Sequence, residues 1–332
     1  MKLTLRAAAL GAGVALFALT ACSAPAASDS GSADAVSEAS GDWPRTITHD
    51  AGETEIADEP MTIVSTSITL TGSLLAIDAP VAASAATGVG PLTNDEGFFT
   101  QWADVAEERG VEVLYPNLDL DLEAIEAAEP DLIVGSTIGA DSTIDAYDQL
   151  SDIAPTIMID YGTHNWRDVV AQLGEATGHE EDAEASLSEF DAWVGEQADQ
   201  VTPVDGPVTA LSYNGADPSM IFEENSSQAA LLDALGFEYQ GAPEDLIAQA
   251  RSDASSVTPE NLPAALGDMS ALFMVSIERD GVAGVKSDPL LANAKAVADD
   301  TVVPLGATSF RIDPYSARLF VEAVVEAFGS SQ

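Results

Sequence analysis

The sequence predicts an α/β fold: two Rossmann-like lobes with parallel sheets, joined by a single long helix. Three observations carry this. Short β-rich runs alternate with helical stretches along most of the chain, and the runs are apolar on both faces, as strands buried in a parallel sheet are. A turn-forming cluster, Thr202-Pro203-Val204-Asp205-Gly206-Pro207, separates two such series. Between them lies an acidic stretch, Glu180 to Gln200, whose one strong breaker is Gly195.

In the first series Thr62 to Ser65 reads as a strand, and Thr69 to Ile77 as a helix with Leu70, Leu74, Leu75 and Ile77 to one side. Val81 to Ala83 is the next strand. Asp121 to Ala128 is a helix that stops at Glu129-Pro130, because the residue before a proline disfavours the helical region. Asp131 to Gly135, apolar after its first residue, reads as a buried parallel strand, and Thr156 to Asp160 as another. Trp166 to Gly178 shows a helical period in Val169, Val170, Leu173 and Ala176. The second series contains Val208 to Tyr213, Ala229 to Leu235, Asn261 to Leu266, Ala271 to Ser276, Pro289 to Ala298, Thr301 to Pro304 and Tyr315 to Ala327. The organisation is therefore a leader at 1–21, a tether at 22–41, an N-terminal lobe at 42–178, a linking helix at 179–201 and a C-terminal lobe at 202–332.

The leader has Lys2 and Arg6, then an apolar run from Ala7 to Leu19, too short to span a bilayer comfortably. It ends at Leu19-Thr20-Ala21-Cys22, a small-residue cleavage pattern before the chain's single cysteine. This reads as a lipoprotein signal with Cys22 as the acylated residue. An ordinary secretory signal that happens to contain a cysteine is the plainer reading. Lipidation would anchor the protein on the extracytoplasmic face of the cell membrane. Ser23 to Gly41 is rich in Ala, Ser, Gly and Asp and has nothing to bury, as a tether should.

Charge excludes some partners. The 332 residues hold 11 Lys and Arg against 56 Asp and Glu, a formal net charge of −45. Such a surface repels nucleic acid and anionic lipid. Solubility, in a saline habitat for instance, is sufficient reason for it, and any anion site has to be built locally. Enzyme signatures are missing: there is no G-x-S-x-G elbow, no phosphate-binding G-x-x-x-x-G-K-[ST] loop and no G-x-G-x-x-G after a strand. His49, His164 and His179 are too scattered to read as a metal site. Asn117, Asp119, Asp121 and Glu123 lack the glycine and closing glutamate of a calcium loop and read as a helix entrance.

Several stretches resemble the ferric enterobactin-binding protein family, the helix-backboned siderophore and cobalamin carriers of ABC importers. They are Asp42 to Thr48, Ile63 to Pro80, Asp141-Ser142 with Tyr147 to Leu150, Ile153 to Thr156, Gln172 to Glu175, Leu235 to Phe237 and Ser309 to Asp313. They run in order over nearly the whole domain. The resemblance implies a monomeric, non-enzymatic carrier with no cofactor of its own. Iron would enter only as part of a bound ferric siderophore, held in an inter-lobe cleft at the carboxyl ends of the strands. It implies ligand contacts from Arg311, Arg251, Phe222, Trp166, Tyr213, Arg279 and Phe310. Arginine and aromatic side chains suit a bulky, oxygen-rich, aromatic ligand, since guanidinium groups both pair with oxygens and stack on rings.

Each assignment has a plainer alternative. Arg311 would pair with Asp313, Arg279 would be solvated at the Asp280-Gly281 turn, Phe222 would be core, and Trp166 would pack at a helix start. The resemblance also implies Glu123 and Glu260 as docking pegs for the importer permease, although acids are common in first helical turns anyway. The enterobactin carrier has an arginine where this chain has Thr100, and a second basic position near Pro91 to Thr93 is missing. Fewer positive charges suit a ligand of lower negative charge than ferric enterobactin. Ferric hydroxamates are about neutral, with mixed ligands between, and the expected ligand is a ferric siderophore of catecholate or mixed type. Haem, with Tyr161, Tyr213 or His164 as axial ligand, and cobalamin are the alternatives.

Overall fold

The computed structural model describes residues 43–277 and 281–329. The leader, the tether with Cys22, and Arg279 lie outside the described residues. An antiparallel hairpin comes first, β1 (Arg45–His49) and β2 (Gly52–Ile56). It is followed by β3 (Ile63–Ser65), α1 (Ile68–Ala76), β4 (Val81–Ser84), α2 (Ala103–Arg109), β5 (Glu112–Val113), α3 (Leu122–Ala127) and β6 (Leu132–Ser136). The first lobe closes with α4 (Tyr147–Ile153), β7 (Thr156–Ile159) and α5 (Trp166–Thr177). Its five strands pair in the order β5-β4-β3-β6-β7, all parallel. β6 is buried at every residue, the burial its uninterrupted apolar run requires.

The linking helix α6 (Glu180–Ala198) has 19 residues, so it is about 28 Å long. Asp and Glu crowd its exposed surface, and it buries Ala183, Phe190 and Val194. Gly178, at φ +80°, ends α5 in the left-handed region and lets the chain turn directly into α6. α6 packs on α5 of the first lobe and on α11 (Pro314–Phe328) of the second, so one helix braces both.

The second lobe contains β8 (Pro207–Ser212), β9 (Ser219–Phe222), α7 (Ser227–Ala234), β10 (Glu238–Tyr239), β11 (Ile247–Ala250), β12 (Ala254–Val257) and α8 (Leu262–Leu266). Then come β13 (Ala271–Met274), α9 (Val282–Ser287), α10 (Lys295–Ala298), β14 (Val302–Pro304) and the final helix α11. Here the expectation of a wholly parallel sheet is corrected. β8, β13, β14 and β10 pair in parallel, whereas β8-β9, β9-β12 and β12-β11 are antiparallel. The reason is connection length. Only residues 213–218 separate β8 from β9, too few for a parallel crossover. The turn is held by the Asn214 side-chain amide donating to the Pro218 carbonyl at 2.9 Å.

The lobes also meet behind the cleft. Asp313 caps α11, accepting from the Ser316 amide at 2.7 Å, and its other oxygen accepts from Gln101 Nε2 of the first lobe at 3.2 Å. α1 passes so close that a Cβ on Gly72 would lie 2.8 Å from that carboxylate. Burial pushes the Asp313 carboxyl above the usual range. The folded state therefore holds this proton to higher pH than the unfolded chain. The resulting penalty is absent below the unfolded pKa and grows as pH rises toward the folded one. Asp313→Asn keeps an acceptor for the cap and removes the titration. The stability of the wild type relative to Asp313→Asn, read from denaturant unfolding, is expected to increase as pH is lowered from 7 toward 4. A pH-independent difference would rule this out.

Candidate ligand-binding cleft

Three helices start at the cleft, and each start explains a wall residue. α5 begins with Asn165 as its cap, accepting from the Arg167 and Asp168 amides, which sets Trp166 as the first helical residue facing inward. α7 begins with Ser226, which accepts from the Ala229 amide. α1 is capped from a distance: Asp141, buried and far along the chain, accepts from the Thr69 amide at 3.1 Å and from the Ser67 hydroxyl at 2.5 Å. The positive ends of three helix dipoles therefore lie around the cleft.

Asp141 accepts a third bond, from the Tyr161 hydroxyl at 2.6 Å. Burial, then this carboxylate, pushes the Tyr161 phenol up, and Arg311 acts in the opposite sense. Gly139, at φ +92°, makes the arrangement possible, since a Cβ there would lie 1.7 Å from the Tyr161 oxygen. The phenol ring forms a shelf for Arg311, whose guanidinium carbon lies 5.3 Å from the Tyr161 ring centre and 4.9 Å from that of Phe310. Gln228 steadies the same limb by donating to the Ser309 and Phe310 carbonyls at 2.9 and 3.0 Å.

Arg311 is not paired with Asp313; that carboxylate is occupied at the helix cap. Among the described residues Arg45, Arg109, Arg167, Lys286 and Lys295 are each tied to a carboxylate, whereas Arg311, Arg251 and Arg318 are not. Arg318 stacks on Trp193 behind the cleft. Arg311 lines the cleft, and Arg251 is exposed on the β11–β12 turn beside two lining residues, Ser252 and Asp253.

The other predicted contacts divide. Trp166 and Phe310 line the cavity. Phe222 does not: it is 1% exposed and packs edge-on beneath Phe310 at 5.9 Å, one layer down. Tyr213 lies apart, its hydroxyl donating to Asp288 at 2.5 Å and pushed up to about 12 by burial and that partner. Phe98 and Phe99, in the loop before α2, pack against Trp102, Phe98 in the core and Phe99 at its edge. Sequence reasoning missed the stretch Asn225 to Gln228, which follows β9, and the Ser252-Asp253 turn. A serine cap before an apolar helix was the available signal for the first; the second required recognising the β11–β12 hairpin.

The cavity, partly open to solvent, measures about 100 Å³, against roughly 300–1,000 Å³ for sites that hold drug-sized ligands. The Ser252 hydroxyl reaches across it to the Gly162 carbonyl at 2.8 Å. A bulky ligand would have to break this bridge, while α6 and the Gln101–Asp313 contact join the lobes at the back. Among the described residues no group of three His, Cys, Asp or Glu side chains is placed to hold a metal ion.

Two α/β lobes on a helical brace, with a crevice between them at the strand ends, define a cleft-type solute-binding protein. The chain belongs to the periplasmic binding protein family, whose model matches residues 63–308. It is 40% identical over 293 residues to the ferric enterobactin-binding periplasmic protein FepB of Escherichia coli O6:H1, covering 86% of this chain and 92% of that one. It is 25% identical over 228 residues to the probable siderophore-binding lipoprotein YfiY of Bacillus subtilis, covering 68% of this chain and 65% of that one. The crystal structure of holo-ViuP superposes with a TM-score of 0.79 at 36% identity, covering 87% of this chain and 97% of that one. These relatives are binding proteins, not enzymes.

Proposed function

We propose that this protein captures a ferric siderophore of catecholate or mixed type between its lobes and delivers it to an ABC importer. The observation that carries the reading is Arg311, a guanidinium left without a carboxylate partner in a chain with 56 acids and held against two aromatic rings in the cleft. Its hydrogen-bond donors are available to ligand oxygens. Relatives named for siderophores support the same reading. The residues named for haem ligation support it less: the hydroxyls of Tyr161 and Tyr213 are held by Asp141 and Asp288, and His164 is held by Asp50 at 3.1 Å.

Delivery is assigned to Glu123 and Glu260, exposed carboxylates on opposite lobes. Glu123 stands in the first turn of α3, and Glu260 just before α8. Cys22 supplies the lipid anchor, and the protein acts as a monomer on the outer face of the cell membrane.

Trp166 lines the cavity and serves as a natural reporter. Titration of the purified protein with a ferric catecholate, a ferric hydroxamate, haem and cobalamin is expected to give saturable quenching with a ferric siderophore. Binding of haem or cobalamin alone would overturn the reading.

A further inference from the structure

The cavity wall carries one carboxylate that nothing in the fold uses. Asp253 sits in the turn between β11 and β12, and that turn is rigidly placed: the Arg251 amide donates to the Ala254 carbonyl at 2.8 Å, the Glu223 amide to the Asp253 carbonyl at 2.9 Å, and the Asn225 side chain to the Ser252 carbonyl at 2.9 Å. The Asp253 side chain itself makes no hydrogen bond and no ion pair among the described residues. It does not cap the turn, and it does not pair with neighbouring Arg251. Asp253 lines the same cavity as Arg311.

The remaining polar wall is neutral: hydroxyls of Thr69, Ser73 and Ser227, and amides of Asn225 and Asn165. His164 also lines it, but is bound to Asp50. The charges presented to a ligand are thus one guanidinium and one free carboxylate, on a molecule of net charge −45.

We propose that Asp253 sets the charge of the ligand. Beside Arg311 in the cavity wall, it favours, among ferric siderophores of catecholate or mixed type, those of lower negative charge that bear amide or hydroxyl donors, and it disfavours tris-catecholate trianions. This rests on the ferric-siderophore reading and sharpens it. Like charges brought together in a partly desolvated cleft repel far more than they do in water, so a trianion experiences the Asp253 carboxylate several times over. A neutral ferric hydroxamate does not, and its donors find in Asp253 an acceptor without a competing partner.

The test uses the intact protein and two probes, ferrichrome as the neutral ferric complex and ferric enterobactin as the trianion, followed by Trp166 quenching. Asp253→Asn is expected to improve the affinity for ferric enterobactin by about tenfold and to leave ferrichrome within about twofold. Asp217→Asn makes the same change in net charge on the exposed β8–β9 turn, outside the cleft, and is expected to move neither. Equal effects of Asp253→Asn on both probes, or an Asp217→Asn effect as large as that of Asp253→Asn, would overturn the proposal by reducing it to packing or bulk charge. If neither probe binds wild-type protein whose melting curve shows it folded, the siderophore reading itself fails, and with it this inference.

Discussion

Arg311→Ala is expected to weaken binding of the ferric siderophore by about 100-fold, which corresponds to roughly 2.8 kcal/mol. The magnitude follows from what the side chain brings. A charge-assisted hydrogen bond contributes about 1.5–3 kcal/mol, and the planar guanidinium adds stacking on an aromatic ligand. In the structure the group is oriented by Tyr161 and Phe310, so little rotamer freedom remains to be lost on binding. Arg311→Lys separates charge from shape. Lysine restores the positive charge but neither the fork nor the flat face, so it is expected to recover only a minor part of the loss. Calorimetric titration of both variants, with melting curves as a folding control, decides the matter. An Arg311→Ala protein that binds within about twofold of wild type would remove Arg311 from the site.

Arg311 could be named from the sequence, while the Asp141 assembly beneath it could not, and the difference has a physical cause. Local pattern shows which residues form a strand or a helix. β6, α5 and α6 were found this way, because an apolar run, a 3.6-residue period and a breaker-poor acidic stretch are local properties. The antiparallel half of the second sheet was missed because β9, β11 and β12 are strands of four residues with weak periodicity, fixed by their mutual pairing. The plainer alternative for Arg311, a pair with Asp313, rested only on their closeness in sequence. In the structure Asp313 faces the helix it caps and a glutamine on the other lobe. Phe222 was placed in the cleft and belongs to the layer beneath it, since the alternation along β9 turns its ring inward under Phe310. The Asp141 assembly joins residues from three separate segments, and no local spacing reports it.

Asp141 carries the second large expectation. A buried carboxylate in the floor of a cleft for oxygen-rich ligands looks like an obstacle to binding. It is not one, because its lone pairs are already occupied by the Ser67 hydroxyl, the Thr69 amide and the Tyr161 hydroxyl, and its charge is set against the N-terminus of α1. Asp253, with no partner, is the carboxylate a ligand meets. Asp141→Ala leaves one buried donor (Ser67) and two half-buried ones (Thr69, Tyr161) without their acceptor, at up to about 1–3 kcal/mol each. Allowing for relaxation, the loss should be roughly 3–5 kcal/mol, and the melting temperature should fall by roughly 5–10 °C. Tyr161→Phe removes one of the three bonds and keeps the ring under Arg311, so it should cost about 1 kcal/mol and leave binding nearly intact. Gly139→Ala places a Cβ 1.7 Å from the Tyr161 hydroxyl and 2.8 Å from the Asp141 carboxylate, so it displaces the ring as well as the bond and should destabilise more than Tyr161→Phe and weaken binding through the moved shelf. If Asp141→Ala melts with the wild type, the three bonds do not anchor the shelf beneath Arg311. If it melts early while Tyr161→Phe binds normally, the carboxylate is a structural anchor, and the ring it positions is what the ligand site uses.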